Sequence, residues 1–218
     1  MKLFCFCFSL VILFSCSSGA KDDTSSLAIP PVTLKDTSLA KGILITRISC
    51  KSDSSVNYAL YLPKKYSVSE KFPIIFFFDS HGSGTFPLEK YKDLSEKYGY
   101  ILVGSNNSKN GMRWEENEPQ IKIFMNDVKD KLNIDGRRIY VCGFSGGSRV
   151  ASSVAIFDGE INGVIGMGAG FPSLTDPIRN KFDYFGFAGN EDFNMNEMVG
   201  LIASMDKSPI RHQLIVFN

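Results

Sequence analysis

The stretch RIYVCGFSGGSRVASSVA, residues 138–155, decides the fold of this chain. Its apolar first part, Arg138 to Cys142, is typical of a buried strand, and the residues from Ser148 onward are typical of a helix. Between them the pattern G-x-S-x-G places Ser145 in a tight turn that admits only small neighbours. Such a turn holds a serine hydroxyl exposed beyond a strand end, so the pattern predicts a nucleophile. A plain glycine-rich turn is the alternative.

Strand and helix patterns alternate on both sides of this stretch. Residues 42–50 and 56–63 predict an opening antiparallel pair of strands. Further strands are predicted at 72–78, 100–105, 139–143, 163–167, 184–188 and 213–217, and helices at 86–98, 118–132, 148–155 and 194–205. Because such alternation implies right-handed crossovers, we expect an α/β fold with a mostly parallel sheet and helices on both faces.

Composition bounds the partners and the domain count. The chain has 218 residues, 44% of them hydrophobic, and a formal net charge of +1. This composition suits one globular domain, which we place at 42–218, and gives no sign of nucleic-acid binding.

The N-terminal segment is predicted to be a lipoprotein signal. A basic start and the apolar run 3–14, too short to span a bilayer, lead to Leu-Phe-Ser-Cys, which resembles a bacterial lipobox ending at Cys16. We therefore expect a signal peptide at 1–15, a lipidated Cys16 as the only membrane attachment, and a flexible tether at 16–41. The cluster Lys-Asp-Asp at 21–23 resembles the surface-export signal of Bacteroidetes lipoproteins. The localisation expected is the cell envelope, with an ordinary secretory signal and a secreted protein as the alternative.

Two cysteines remain for the folded domain, Cys50 and Cys142. Spacing alone leaves a disulfide between them open. Cys142 lies inside a predicted strand, which favours a buried apolar role for its side chain.

Two loops at strand ends complete the predicted site. The loop DSHGSG, residues 79–84, follows the strand 72–78 and resembles the oxyanion loop of lipases and esterases. We expect one oxyanion donor in the stretch His81, Gly82 and Ser83 and another at Gly146, a plain turn being the alternative.

The carboxylate of the site is expected in the loop GNEDFN, residues 189–194, where Asp192 lies just beyond a strand end and would orient an imidazole. Glu191 and Asp176 are the alternatives for this role. Asp192 acting only as a helix N-cap is the alternative without catalysis.

The motifs GFSGGSRVAS, from Gly143, and GNEDFN, from Gly189, together with the loop at 79–84, resemble the secreted esterase branch of the α/β-hydrolases, over residues 42–218. Polyhydroxybutyrate depolymerase-like, feruloyl esterase-like and dienelactone hydrolase-like proteins belong to this branch. The resemblance implies hydrolysis of a small-molecule or carbohydrate ester through an acyl-enzyme, with no metal or organic cofactor. Arg113 and Trp114, in a polar loop at the same edge, are candidate substrate contacts, or else a solvated loop with one anchoring aromatic.

The chain departs from this resemblance in its histidines. His212 is predicted at the start of the last strand, about 17 Å from the reactive edge. His81 lies at the correct edge but would have to swing towards Ser145 to act as a base. The family carries its base after the eighth strand and then a covering helix, and we therefore expect a truncated chain, with Leu214 and Val216 partly exposed.

Two rival functions stay open. A peptidase of the prolyl-oligopeptidase type shares the same core but usually has an added propeller domain. A non-catalytic surface lipoprotein would keep the fold as a ligand-binding shell, which the missing base favours and the intact motifs disfavour.

Overall fold

The computed structural model describes residues 36–172, 178–206, 208 and 210–218. In this part of the chain eight strands form one sheet with the order β1-β2-β4-β3-β5-β6-β7-β8. The strands are β1 (Leu44–Ser49), β2 (Asn57–Tyr61), β3 (Phe72–Phe78), β4 (Ile101–Ser105), β5 (Ile134–Phe144), β6 (Gly163–Met167), β7 (Asp183–Gly189) and β8 (His212–Phe217).

The strand directions confirm the predicted mostly parallel sheet. β2 pairs antiparallel with β1 and with β4, and all pairs from β4 to β8 are parallel. The carboxyl ends of β3 and of β5 to β8 therefore meet at one edge of the sheet. In a sheet of this kind that edge is where ligands bind.

Helices cover both faces, as predicted. They are α1 (Thr85–Tyr98), α2 (Trp114–Lys131), α3 (Gly146–Phe157) and α4 (Met195–Met205). α1 packs on one face around Leu88, and the other three helices pack on the opposite face, where Phe124 and Val128 of α2 are buried. α2 begins four residues before the predicted start at 118 and carries Pro119 inside it.

The N-terminal boundary of the folded part differs from the predicted one. The predicted signal peptide at 1–15, Cys16 and most of the predicted tether lie outside the described residues. Within the tether, however, the Asp36 N–H donates to the Lys131 carbonyl over 3.0 Å, and Leu39 packs against the core. The packed chain thus starts before residue 42. Among the described helices, none is long and apolar enough to cross a membrane.

The two domain cysteines are both free and buried. Cys50 belongs to the apolar cluster on the α2–α4 side of the sheet, and Cys142 to the cluster on the α1 side. Burial raises the pKa of the Cys142 thiol to about 12, and burial together with the Asp127 carboxylate raises that of Cys50 to about 11. Both thiols therefore act as small apolar side chains, as predicted for Cys142.

One face of the sheet carries a long apolar groove. It has a volume of about 710 Å³, runs across β3 and β5 to β8 beside α1, and reaches the reactive edge at Asp192. Phe144, Ile215 and Phe217 on this side are 57%, 37% and 56% exposed. On the opposite face of β8, Val216 is exposed and Leu214 is partly exposed while packing against the core, as predicted for both.

Candidate active site

Ser145 sits at the sharp turn that the sequence predicts, between the end of β5 and the first residue of α3. Its backbone angles are φ 53° and ψ −120°, and it is the only non-glycine residue with positive φ in the described part of the chain. The Ser145 N–H donates to the Met167 carbonyl of β6 over 2.8 Å, which fixes the turn against the neighbouring strand. A side chain held in such a sparsely populated region is a common mark of a functional site.

The two glycines of G-x-S-x-G are required by backbone packing. A β-carbon placed on Gly143 would lie 2.1 Å from the Gly147 carbonyl oxygen. A β-carbon on Gly147 would lie 1.9 Å from the carbonyl oxygen of Phe78 in β3. Because these neighbours are main-chain atoms, no rotation of a side chain can relieve the overlap.

The loop after β3 corrects the predicted oxyanion donors. The N–H groups of His81 and Ser83 both donate to Asp79 Oδ1, over 2.9 and 3.2 Å, and the Gly82 N–H donates to the Asp79 carbonyl over 3.2 Å. The Asp79 side chain thus folds the loop on itself, as aspartates do in Asx turns. His81, Gly82 and Ser83 are therefore not free to bind an oxyanion in this conformation.

Ser80 is the residue that sequence reasoning missed in this loop. Within the described residues its N–H has no acceptor, and neither has the N–H of Gly146 at the start of α3. Gly147, in the first turn of α3, packs against the Phe78 carbonyl at the end of β3, and Ser80 lies two residues further along that loop. An oxyanion hole requires N–H groups that lie beside the nucleophile and donate to no other acceptor.

Asp192 reaches the same edge from the loop after β7. Its Oδ1 accepts the N–H of Asn194 over 2.8 Å, which orders the start of α4. Its Oδ2 lies 3.0 Å from the position of a β-carbon on Gly168, and the Phe144 ring touches the same glycine. One oxygen therefore supports the helix start, and the other faces the end of β6. Of the two alternatives, Glu191 is exposed and Asp176 lies outside the described residues.

The loop after β6 holds the serine turn and the acid loop together. The buried Ser148 hydroxyl of α3 donates to the Ala169 carbonyl over 2.6 Å, and the Asn194 amide of the acid loop donates to the Gly168 carbonyl over 2.8 Å. Glu197 of α4 accepts the Gly170 N–H and also pairs with Arg149 of α3. Ser145 and Asp192 thus share one rigid framework.

The two histidines lie where the sequence predicts. His212 pairs with Tyr184 at the start of β8, and its Nε2 lies 3.0 Å from Asp206 Oδ1. The His81 side chain is 87% exposed, with Nδ1 3.2 Å from the Ser80 hydroxyl. Neither imidazole hydrogen-bonds Ser145 or Asp192 in the described structure.

Arg113 and Trp114 are not brought to the serine. The Trp114 ring packs against Phe157 in a tilted arrangement with centroids 5.4 Å apart, and Phe157 ends α3, about 18 Å along the helix from Ser145. The Arg113 guanidinium pairs with Glu116 in the first turn of α2, with 2.6 Å between Nη2 and Oε1. Their contacts therefore favour the alternative of an anchored polar loop over a substrate pocket.

The residues described include no group of three or more His, Cys, Asp or Glu side chains placed to hold a metal ion.

Comparisons with solved structures show the fold. The feruloyl esterase module from Clostridium thermocellum, complexed with sinapinate, superposes with a TM-score of 0.65 at 11% identity, covering 82% of each chain. An S-formylglutathione hydrolase from Staphylococcus aureus gives 0.64 at 11%, with 82% of this chain and 90% of that chain covered. A hyperthermophilic esterase from the archaeon Pyrobaculum calidifontis gives 0.61 at 13%, with 82% and 77% covered. The chain thus has the α/β-hydrolase fold seen in these esterases.

No protein-family model matches the sequence, and no curated protein sequence matches it.

Proposed function

We propose that this chain is a carboxylic ester hydrolase in which Ser145 is the nucleophile. The observation that carries the proposal is the strained turn, which holds Ser145 at the carboxyl edge of the sheet, next to the Gly146 N–H, for which the described residues offer no acceptor. Asp192, on the same framework, would orient the imidazole that serves the serine. Esterases and hydrolases with the same fold support this reaction class.

The proposed chemistry has two halves. Ser145 Oγ attacks the ester carbonyl and forms a bond to its carbon, and a general base takes the hydroxyl proton. The negative charge that develops on the carbonyl oxygen is met by the Gly146 and Ser80 N–H groups, and the protonated alcohol leaves. Water, activated by the same base, then releases the acid from Ser145.

Among the described residues, none is placed to act as the general base for Ser145. The Asn190 N–H donates to the Phe217 carbonyl over 2.9 Å, and the Asn190 amide bonds Asn218 over 3.0 Å. Asn218 is therefore held against the loop that carries Asp192. An imidazole bound between Ser145 and the Asp192 loop would therefore fill the role of the base.

Imidazole rescue tests the function on the 218-residue chain. Hydrolysis of p-nitrophenyl acetate is followed at increasing imidazole concentrations, and the rate with Ser145→Ala is subtracted at each. A Ser145-dependent rate that saturates with imidazole is expected, and Asp192→Asn lowers it because the bound imidazole loses its partner. Peptide mass spectrometry provides a second readout. Peptides quenched in acid during turnover with imidazole should carry an acetyl group on Ser145 in the wild-type chain and none in Ser145→Ala.

A ligand-binding shell is the second candidate, favoured by the absence of an imidazole bonded to Ser145 among the described residues. A folded wild-type chain with neither acylation of Ser145 nor imidazole-dependent turnover would refute the hydrolase proposal and favour this one.

Substrate and location are proposals of the same kind. A small ester or carbohydrate ester is supported by the neighbour complexed with sinapinate, and methyl ferulate against p-nitrophenyl acetate is the direct comparison. We propose a lipid anchor at Cys16 in the cell envelope. Palmitate incorporation that persists in Cys16→Ala would argue against it.

A further inference from the structure

Asn110, in the loop after β4, lies directly over the serine turn. A β-carbon placed on Gly146 would be 1.7 Å from Asn110 Oδ1 and 3.3 Å from its Nδ2. The carboxamide therefore rests on the α-carbon of the residue whose N–H is the proposed oxyanion donor. Gly146 can only be a glycine while Asn110 holds this position.

The main chain of Asn110 is fixed to the other proposed donor. Its N–H donates to the Ser80 carbonyl over 2.9 Å. The loop is anchored from inside by Ser108, which is buried and accepts the amide of Asn117 on its hydroxyl over 3.0 Å. Gly111, with φ +86°, then turns the chain away. Asn110 thus contacts Ser80 through its main chain and Gly146 through its side chain.

The Asn110 carboxamide is available to form hydrogen bonds. It is exposed, and none of its carboxamide atoms has a hydrogen-bond partner among the described residues. The carboxamide nitrogen carries two N–H groups, and a half-turn about the last side-chain bond exchanges nitrogen and oxygen. That half-turn places an N–H donor where Oδ1 now faces Gly146.

We propose that Asn110 is a third oxyanion donor, and this inference rests on the proposed ester hydrolysis at Ser145. As the bond from Ser145 Oγ to the carbonyl carbon forms, the π electron pair of the carbonyl moves to its oxygen. That oxygen accepts hydrogen bonds from Gly146, Ser80 and the Asn110 Nδ2. The serine proton goes to the general base and on to the leaving alcohol.

Kinetics of two Asn110 variants test the proposal, with imidazole present and Ser145→Ala subtracted. Asn110→Ala is expected to lower kcat about 10- to 100-fold with little change in KM, because an oxyanion donor acts mainly in the transition state. Asn110→Asp is expected to lower kcat at least as much, since a carboxylate opposes the developing charge. Lys109→Ala, a change at the next exposed residue, is the matched control and should stay within about twofold of wild type.

The outcomes distinguish a failure of the Asn110 role from a failure of the proposed ester hydrolysis. Wild-type turnover with an unchanged kcat in folded Asn110→Ala overturns the role of Asn110 and leaves the hydrolase proposal standing. Equal losses in Asn110→Ala and Lys109→Ala also overturn it, because they indicate a disturbed loop. Wild-type protein without any Ser145-dependent reaction overturns both. The rate of Ser145 labelling by a fluorophosphonate supplies a second measure, and it should fall in the same order of variants.

Discussion

Replacing Ser145 by glycine should make the protein more stable, although it removes the proposed nucleophile. The angles φ 53° and ψ −120° are comfortable for glycine and strained for any residue with a β-carbon. Alanine at the same position keeps the β-carbon and loses only the hydroxyl. The pair Ser145→Gly and Ser145→Ala therefore isolates the strain stored in the turn.

The expected size of the effect follows from two opposing contributions. A residue held in such a region costs about 1–3 kcal/mol of stability, which glycine recovers. Glycine also raises the conformational entropy of the unfolded chain, which lowers the free energy of unfolding by about 0.4–1 kcal/mol. The net gain in the free energy of unfolding is about 0.5–2 kcal/mol. For a protein of this length that is an increase in Tm of roughly 1–8 °C.

Urea unfolding followed by far-UV circular dichroism measures this difference. The midpoint for Ser145→Gly should lie above that of Ser145→Ala at an unchanged m-value, so that the shift reports stability alone. A glycine variant that is no more stable than the alanine variant would refute the reasoning, since the turn would then store no strain.

Two further changes test the packing around the site. Gly147→Ala should lower the free energy of unfolding by roughly 4 kcal/mol or more, because its β-carbon would overlap the Phe78 carbonyl oxygen. Gly136→Ala is the control, with nothing within 4 Å of its β-carbon, and should stay within about 0.5 kcal/mol of wild type. Similar urea midpoints for both variants would contradict the close approach at Gly147. Cys50 and Cys142 should both resist a thiol reagent at pH 8 in the folded chain and react once it is unfolded, because burial raises the pKa of each thiol. Mass mapping of the labelled peptides identifies the sites, and rapid labelling of either cysteine in folded protein would show that it is accessible.

Much of the fold was predictable because its signals are local. The continuous apolar run of β3 gives that strand with its observed bounds, and the G-x-S-x-G turn needs only the small size of its glycines. The mostly parallel sheet follows from the alternation of strands and helices. α2 was predicted to start four residues late, since its first turn is rich in polar residues.

The fine structure of the site was harder to predict, because it depends on side chains that redirect the backbone. The sequence places glycines after β3. It does not show that the Asp79 carboxylate accepts hydrogen bonds from the N–H groups of His81 and Ser83, or that the Ser80 N–H has no acceptor among the described residues. Asn110 lies far from Gly146 along the chain, and only the folded loop after β4 brings them into contact. The role of Asp192 remains a prediction supported by its position.

The bond between Asn190 and Asn218 has a practical consequence for anyone who expresses this chain. An affinity tag fused after Asn218 would emerge beside the Asp192 loop, and a polyhistidine tag would deliver several imidazoles to that spot. Such a preparation could show hydrolysis that belongs to the tag, so the tag belongs at the other end, or must be cleaved before any rate is measured. Used deliberately, the same fusion becomes a tool. A series of short C-terminal extensions with one histidine moved along them would locate the position from which an imidazole can serve Ser145.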